Sequence, residues 1–329
     1  MTTPSLSRPV GTAVIGGGTM GADVAVVLSR GGLPVTLVER DAAKAARLPG
    51  YVGAQLEAAG CAAHAGPITV VQQLEAVAWA DVGLVVECIV EQLAPKQQLF
   101  ARLVELALPS ALLTSNSSGL PISRIADGLP TRERMFGLHF FMPAHLVPLV
   151  EVVMGPDSDA DAAQALMQTM RRCASVPVLV RKDRPGFLAN RLQHALAREA
   201  FALLDDGVAS AEDIDAAVRF GFGFRFLAAG PILQRDHAGL DVHCAAAATI
   251  YPSLCNDAEP AKVLQQQVQA GRVGMKAGAG FSDWPEAERA AERARYDRLL
   301  RAGLHLLADE LPPLPGATGD APSSDRNPT

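Results

Sequence analysis

The sequence has few aromatic residues and no cluster of basic residues. Aromatics make up only 5% of the 329 residues, whereas apolar residues make up 49%. The core must therefore consist mainly of Ala, Val and Leu, which suits an α/β protein with closely packed helices. The formal net charge is -6. Because Lys and Arg are dispersed, the sequence lacks the basic surface that nucleic-acid binding requires.

Paired cysteines and long apolar runs are also absent. The five cysteines are scattered and none forms a CxxC pair, which argues against a disulfide framework and a zinc site. The first ten residues lack the apolar stretch of a signal peptide. No apolar run reaches the roughly 18 residues that a membrane helix needs. The sequence therefore predicts a soluble, cytoplasmic protein without a metal and without membrane contact.

Short apolar runs alternate with amphipathic stretches in the first half of the chain. The runs predict strands at 12–16, 35–39, 68–71, 82–89 and 111–116, followed by MFGLHF, LVEVVM and VPVLVRK. Strands that alternate with helices favour an α/β fold with a doubly wound parallel sheet. The pattern changes after RKDRPG (181–186), beyond which we predict only helices.

This change predicts two domains and a tail. We expect a nucleotide-binding domain at residues 1–183, an all-helical domain at 184–310, and a disordered tail rich in Pro, Gly and Ser at 311–329. The helical domain opens with LANRLQHALAREAFALLDDG, which predicts one long helix. Pro185 suits the first turn of that helix, and Gly207 suits its C-terminal end.

A glycine-rich segment, GGGTMG (16–21), lies between the first predicted strand and the first predicted helix. It fits the GxGxxG pattern in the context that a dinucleotide site requires, so the sheet is expected to be of the Rossmann type. The helix N-terminus offers free N–H groups to a pyrophosphate. The predicted cofactor contacts are Gly16, Gly18, Thr19, Met20 and Gly21. The alternative is a glycine-rich turn that binds no ligand.

Glu39 ends the second predicted strand, where an acid can accept hydrogen bonds from the adenosine ribose hydroxyls. An acid at this position repels a 2′-phosphate, so it favours NAD over NADP. Arg40, the next residue, argues instead for NADP, because a neighbouring arginine favours the 2′-phosphate. We predict NAD as the cofactor.

Glu151 interrupts the apolar run LVPLVEVVM, which otherwise predicts a buried strand. A carboxylate costs several kcal/mol there unless a charge or a donor meets it. His139, twelve positions earlier in GLHFF, is the nearest candidate partner. Histidine suits the removal of a hydroxyl proton near neutral pH. The pair therefore predicts a proton-abstracting dehydrogenase, and the alternative is a structural histidine in the core.

These motifs occur together with others in a recognisable order. The chain contains GGGTMG, SNSSGLPI (115–122), GLHFF (137–141), LVEVV (149–153), PGFLANR (185–191) and GMKAGAGF. In this set the sequence resembles the L-3-hydroxyacyl-CoA dehydrogenase family, from about residue 10 to about residue 310. The resemblance implies a Rossmann domain joined to a helical domain that also forms a homodimer.

The resemblance also implies roles for individual residues. His139 would be the catalytic base and Glu151 its partner, while Ser118 and Asn190 would lie at the substrate oxygen. Hydrogen bonds from such groups orient the reacting carbon toward the nicotinamide. The alternative for Ser118 is a helix cap before the PISRIA segment.

The resemblance further implies that three residues lie near the nicotinamide ribose. They are Glu91 and Lys96, in VEQLAPK, and either Ser117 or Ser118 in the SNSSGLPI loop. The expected reaction is a reversible oxidation of a 3-hydroxy group to the 3-keto product, with hydride transfer to NAD.

Three departures from the family pattern bear on the substrate. Met142 stands where the family has Asn in HFFNP. The segment between Glu39 and the ITVV strand is short, and Lys44 and Arg47 are the only cations in its part AAKAARLPGYVGAQLEAAGCAAHAG (42–66). Members that use CoA carry a longer, Lys-rich hairpin there. Arg225, in FGFGFRF, resembles an Arg in relatives such as L-gulonate 3-dehydrogenase and can hold a free carboxylate.

These departures favour a small free 3-hydroxy carboxylate slightly over an acyl-CoA as the substrate. The alternative for Arg225 is a solvated or dimer-interface residue. The alternative for the whole protein is a non-catalytic NAD-binding protein of the lens-crystallin kind, which resembles the same family. A structural role places no chemical demand on the complete set of Ser118, His139, Glu151 and Asn190.

Overall fold

The computed structural model of the protein describes residues 11–314. They form two compact units, of which unit 1 comprises residues 11–188 and 308–314 and unit 2 is Ala189–Leu307. The predicted domain boundary after residue 183 lies five positions before the end of the main segment of unit 1. Most of the predicted tail, residues 315–329, lies outside the described residues, as do residues 1–10.

Unit 1 is built on one eight-stranded sheet with the order β3-β2-β1-β4-β5-β6-β7-β8. The six strands from β3 to β6 in that order are all parallel. This is the predicted Rossmann-type sheet, and the fold class is confirmed. The strands are β1 Gly11–Ile15, β2 Val35–Val38, β3 Ile68–Val71, β4 Val82–Glu87, β5 Leu112–Ser115, β6 Met135–Phe140, β7 Leu149–Met154 and β8 Val176–Val180.

The last two strands run opposite to the other six. β6 and β7 pair antiparallel, and β8 is parallel to β7. Only residues 141–148 join β6 to β7. A parallel crossover needs a dozen or more residues, so this short connection enforces a hairpin. In that hairpin His139 is the direct cross-strand partner of Glu151.

Helices cover both faces of the sheet in unit 1. Alternate residues of a strand point to opposite faces, and β1 follows this rule because Val14 belongs to one apolar cluster and Ala13 to the other. The first cluster includes residues of α1, α2 and α5, and the second includes residues of α3 and α4. The helices are α1 Thr19–Arg30, α2 Ala42–Ala58, α3 Leu93–Leu106, α4 Ile122–Ile125 and α5 Ala160–Arg172.

Unit 2 is built of helices, as predicted. A π-helical turn at Val218–Phe222 joins α7 to α8, with a kink at Gly221. The helices are α6 Ala189–Asp205, α7 Ala211–Ala217, α8 Gly223–Arg225, α9 Leu233–Ala238, α10 Leu240–Ile250, α11 Lys262–Gln269 and α12 Glu286–Leu306. Among residues 11–314, no helix is both long enough and apolar enough to cross a membrane.

The long helix α6 differs from the prediction at its start. It begins at Ala189, so the prediction that Pro185 lies in its first turn is wrong. Residues 184–188 instead form a turn in which the Phe187 N–H donates to the Arg184 carbonyl at 2.9 Å. The predicted end is confirmed, because Gly207 follows the helix with a φ of 65°, a value that glycine adopts without strain.

Candidate active site

The glycine-rich turn between β1 and α1 leaves no room for side chains at two positions. Gly16 has a φ of 106°, and a β-carbon there would lie 2.8 Å from the Cys88 carbonyl oxygen. A β-carbon on Gly21 would lie 1.8 Å from the Gly16 carbonyl oxygen. These two glycines therefore allow α1 to start directly against the end of β1.

The N-terminus of α1 has the properties of a phosphate site. Gly18 is its N-cap residue and, because it has no side chain, it leaves the first N–H groups of the helix without a capping hydrogen bond from that position. A β-carbon on Gly18 would meet nothing within 4 Å, so space lies open in front of the first turn, which Thr19 and Met20 begin. The free N–H groups and the helix dipole favour a pyrophosphate at this point. These features fit the binding of NAD.

Glu39 follows β2 and lies beside the glycine-rich turn. Its Oε2 accepts a hydrogen bond from the Gly17 N–H at 3.0 Å, and its Oε1 accepts one from the Asp41 N–H at 2.9 Å. The carboxylate is thus fixed next to the turn by backbone donors. Each oxygen has a further lone pair that can accept a ribose hydroxyl.

His139 and Glu151 form a buried hydrogen-bonded pair. The His139 Nδ1 lies 2.7 Å from Glu151 Oε2, and the two side chains are 2% and 0% exposed. A carboxylate can only accept, so Nδ1 carries the proton when the ring is neutral. The cross-strand register of β6 and β7 creates this contact, because opposite residues of an antiparallel pair point to the same face.

Ser118 completes a chain of three side chains. Its Oγ lies 3.1 Å from His139 Nε2, and because Nδ1 is the protonated nitrogen, the hydroxyl donates to Nε2. Ser118 is exposed, whereas the pair behind it is buried. The loop after β5 brings it there, and Asn116 in the same loop accepts the Phe140 N–H at 2.9 Å. The arrangement places the unprotonated nitrogen of a buried histidine directly behind an exposed serine hydroxyl.

Lys96 lies in the interior of unit 1, on α3. Its ammonium group is 2.6 Å from Glu87 Oε1, and the two side chains are 1% and 0% exposed. It is also 3.3 Å from the half-exposed Glu91. The Ser115 hydroxyl donates to the second oxygen of Glu87 at 2.6 Å. Lys96 thus belongs to a buried polar network between β4, β5 and α3, and its contact with a nicotinamide ribose stays a prediction.

Glu91 organises the loop that carries Ser118. Its Oε1 accepts the Ser117 hydroxyl, the Ser118 N–H at 3.0 Å and the Gly119 N–H at 2.9 Å. Burial alone would raise the pKa of Glu91, but the hydrogen bonds from Ser117 and Gly119 and the charge of Lys96 outweigh it and lower this pKa. Whether Glu91 and Ser117 also contact the ribose stays a prediction.

Two buried carboxylates were not predicted from the sequence. Glu87 ends an apolar strand, the same signal that identified Glu151. Asp23 interrupts the apolar helix α1 and is 1% exposed. It accepts the Tyr51 hydroxyl and, at 3.0 Å, the Ala144 N–H. The His145 Nδ1 lies 3.1 Å from the same carboxylate. Asp23 therefore connects the nucleotide helix to the loop between His139 and Glu151.

The other two predicted site residues lie in unit 2. Asn190 is the second residue of α6. Arg225 is the last residue of α8 and is exposed. No group of three or more His, Cys, Asp or Glu side chains suited to a metal occurs among the described residues.

Two family profiles match consecutive parts of the chain. The profile described as "3-hydroxyacyl-CoA dehydrogenase, NAD binding domain" matches residues 11–184, and "3-hydroxyacyl-CoA dehydrogenase, C-terminal domain" matches residues 186–284. The chain belongs to the 3-hydroxyacyl-CoA dehydrogenase family. This membership confirms the resemblance, and the NAD-binding profile confirms the cofactor. The protein is an NAD-dependent oxidoreductase family member whose substrate the profiles leave open.

Relatives within the 3-hydroxyacyl-CoA dehydrogenase family fall into two groups by substrate. The 5-formyl-3-hydroxy-2-methylpyridine 4-carboxylate 5-dehydrogenase of Mesorhizobium japonicum is 33% identical over 86% of this chain and 94% of its own. The 3-hydroxyadipyl-CoA dehydrogenase of Escherichia coli is 35% identical over 92% of this chain. That E. coli protein is longer, and the chain spans 62% of it.

Similar solved structures include one enzyme of each kind. An NAD+-dependent dismutase named 5-formyl-3-hydroxy-2-methylpyridine 4-carboxylic acid 5-dehydrogenase superposes with a TM-score of 0.86 at 29% identity, over 92% of this chain and 99% of its own. The 3-hydroxybutyryl-CoA dehydrogenase of Escherichia coli K12 superposes with a TM-score of 0.69 at 34% identity, over 84% of this chain and 60% of its own.

Proposed function

We propose that the protein is an NAD-dependent dehydrogenase in which His139 is the catalytic base. The observation that carries this proposal is the chain Ser118–His139–Glu151, with distances of 3.1 and 2.7 Å. It lies in the same unit as the glycine-rich turn. A positioned base with a matched partner contributes roughly 10²–10⁴-fold to the rate of proton transfer.

The chemistry follows from the protonation of the ring. The His139 Nε2 takes the proton of the substrate hydroxyl as the carbonyl bond forms, and the hydrogen of the adjacent carbon leaves as hydride. When bound, NAD supplies the acceptor for that hydride. Glu151 stabilises the imidazolium that results and holds its Nδ1 proton. Ser118 keeps the reacting oxygen within hydrogen-bond distance, a role that we also assign to Asn190.

We propose a small free carboxylate as the substrate. Between β2 and β3 the chain has one regular helix, α2, whose only cations are Lys44 and Arg47. Phosphate groups such as those of CoA are best bound by several Lys or Arg side chains, and this helix offers few. Arg225, with its planar guanidinium, is the proposed partner of the substrate carboxylate.

A carboxylated pyridine is a second candidate substrate. The relative named for 5-formyl-3-hydroxy-2-methylpyridine 4-carboxylate matches over 94% of its length. Its structural counterpart matches over 99% of its chain. That compound carries a free carboxylate and no CoA, so it is consistent with the proposed role of Arg225. Its formyl carbon bears no hydroxyl until water adds to it, so oxidation with the proposed base would start from the hydrate, transfer hydride to NAD and give a second carboxylate.

A steady-state panel with NAD tests these assignments. The panel comprises 3-hydroxybutyryl-CoA, 3-hydroxybutyrate, L-gulonate, carnitine and the formylpyridine carboxylate named above. We expect turnover of a free acid, and a raised KM for that acid in Arg225→Met but not in the control Arg219→Met from the same segment. Strong activity on the thioester alone, unchanged in Arg225→Met, would contradict the free-acid assignment. No turnover of any compound would favour the crystallin-like alternative.

We also propose that unit 1 binds NAD and that unit 2 forms a homodimer and carries substrate-binding residues. The dimer proposal is supported by the apolar surface of unit 2. In the single chain Ile232 is 80% exposed, Phe220 is 71% exposed and Leu306 is 70% exposed. Large apolar side chains at such exposure mark a surface that a partner covers. Light scattering of the purified protein tests the oligomeric state.

A further inference from the structure

Phe187 has an unusual backbone conformation next to the proposed catalytic pair. Its φ is 48°, in the left-handed region that a bulky side chain rarely adopts. The preceding Gly186, with a φ of 77°, adopts the same region without strain. A strained residue persists only where its surroundings impose the conformation, and such residues cluster at functional sites.

The left-handed conformation of Phe187 brings two groups into contact with the pair of His139 and Glu151. The Phe187 ring contacts the His139 ring edge-on, with centroids 5.5 Å apart. The next N–H group, that of Leu188, donates to Glu151 Oε1 at 3.0 Å. Glu151 thus uses one oxygen for His139 and the other for the turn that contains Phe187.

Phe187 is buried, with 4% of its surface exposed, but it belongs to neither of the two apolar clusters that form the core of unit 1. Its ring packs instead beside the imidazole, which Phe141 also contacts, at 4.5 Å between centroids. Core filling therefore does not account for this aromatic residue in a strained turn.

We propose that Phe187 is a positioning residue for the catalytic pair. The two aromatic rings restrict the rotation of the His139 ring and keep water from its Nδ1 side. The left-handed turn at Phe187 delivers the Leu188 N–H that fixes the orientation of the Glu151 carboxylate. Phe187 therefore acts on the reaction only through His139 and Glu151. This inference rests on the proposed function, because it presumes that the pair moves the substrate proton.

Two substitutions at Phe187 separate the effect of the ring from that of the backbone conformation. Phe187→Ala removes the ring but keeps a β-carbon and its strain. Phe187→Gly removes the ring and relieves the strain. Ala174→Gly relieves the same kind of strain at a position with a φ of 51°, in the turn after α5, and is the matched control. Should the first two not fold, Phe187→Leu retains an apolar side chain of similar bulk without the ring.

Two readouts are needed. The first is kcat and KM for the panel substrate with the highest kcat/KM. The second is the low-field proton resonance of the His139 Nδ1–H in the protein without substrate, assigned by its loss in His139→Gln. This resonance requires a proton that is held by the carboxylate and protected from water, so a merely structural defect elsewhere does not remove it.

We expect Phe187→Ala and Phe187→Gly to lose the resonance and to lower kcat on the order of 10–10²-fold, while KM for NAD changes by less than about twofold. Ala174→Gly should keep both properties, and Phe187→Leu should fall between the wild type and Phe187→Ala. The proposal is overturned if Phe187→Ala or Phe187→Leu keeps wild-type kcat and the resonance. The resonance also separates the two proposals, because its presence in a protein without any turnover would contradict the proposed function alone.

Discussion

The two units of the molecule differ in how they bury their apolar residues. In unit 1 every residue of β6 is buried, and two apolar clusters fill the space between the sheet and its helices. In unit 2 the only buried residue is Gly280. Helices are stabilised mainly by the burial of an apolar face. Unit 1 therefore has a complete core within one chain, whereas unit 2 does not.

The open part of unit 2 has a defined location. A cavity of about 700 Å³ lies among residues of α6, α7 and α12, and Leu196, Phe201, Ile214 and Leu299 line it. An apolar cavity of that size in a helical unit without buried side chains fits a surface that a second copy of the chain completes. The difference between the units places the proposed base in the unit with a closed core and the proposed dimer surface in the unit with an open one, and four measurements can break or sharpen this comparison.

The largest effect is expected from the proposed base in unit 1. His139→Gln should lower kcat by roughly 10²–10⁴-fold, because glutamine cannot take the substrate proton. The matched control is His305→Gln, an exposed histidine of α12 in unit 2, which should leave kcat unchanged. NAD binding, followed by titration, should be retained in both variants. An unchanged kcat in His139→Gln with NAD bound would show that another group is the base.

The next largest effect is expected on the free energy of unfolding, which depends on how each unit buries its apolar side chains. Phe136→Ala removes a side chain that is 0% exposed, and it should lower the free energy of unfolding by about 3–5 kcal/mol. In dilute protein Phe220→Ala in unit 2, where the ring is 71% exposed, should change it by less than about 0.5 kcal/mol.

Each unit holds one of the two tryptophans, Trp79 and Trp284. Denaturant unfolding can therefore be followed for unit 1 in a Trp284→Phe background and for unit 2 in a Trp79→Phe background. Equal destabilisation by Phe136→Ala and Phe220→Ala in dilute protein would remove the contrast between a closed and an open unit.

A third, intermediate effect concerns assembly. Ile232→Lys places a charge on a side chain that is 80% exposed in the single chain. If unit 2 forms the proposed dimer through this surface, the variant should weaken dimerisation by about tenfold or more, or at least about 1.4 kcal/mol. Light scattering across a dilution series measures this change. Leu108→Lys, at a half-exposed position of unit 1, is the control and should behave like the wild type.

The smallest effect is a pH dependence in unit 1. Hydrogen bonds and Lys96 lower the pKa of Glu91 in the folded protein, so this carboxylate stabilises the fold above its ordinary pKa of 4.5. That contribution is lost as the pH falls from there through the lowered value. Glu91→Gln should flatten the acid limb of the stability curve, whereas Glu57→Gln, an exposed acid of α2, should not. Identical acid limbs in the two variants would contradict this account.

A site residue can be predicted from the sequence where its side-chain chemistry conflicts with that of the neighbouring residues. Glu151 was found because a carboxylate in an apolar strand requires a partner, and His139 lies opposite it in the hairpin. Glu87 carries the same conflict at the end of β4 and was missed, because its partner Lys96 lies on a helix whose packing the sequence does not reveal. Asp23 was missed because a single acid in a helix usually faces solvent.

Turn geometry was harder to predict than the sheet. The sheet was predicted to be parallel, and the antiparallel direction of β7 was not predicted. The eight residues between β6 and β7 are nevertheless too few for a crossover. The start of α6 does not follow from the sequence, because proline is common in the first turn of a helix. Here the turn at residues 184–188 contains Pro185 and precedes the helix. A hydrogen bond from the Leu188 N–H to Glu151, 37 positions earlier in the chain, fixes this turn.

The hairpin of β6 and β7 has a consequence for how this protein can diversify. Its backbone ladder sets the distance between His139 and Glu151, while residues 141–148 close the hairpin next to that pair and include the exposed Met142. Insertions or exchanges in that loop can reshape the neighbourhood of the pair without altering the strands. Loop grafting between relatives with different substrates is therefore a rational route to new specificities on an unchanged His139–Glu151 pair.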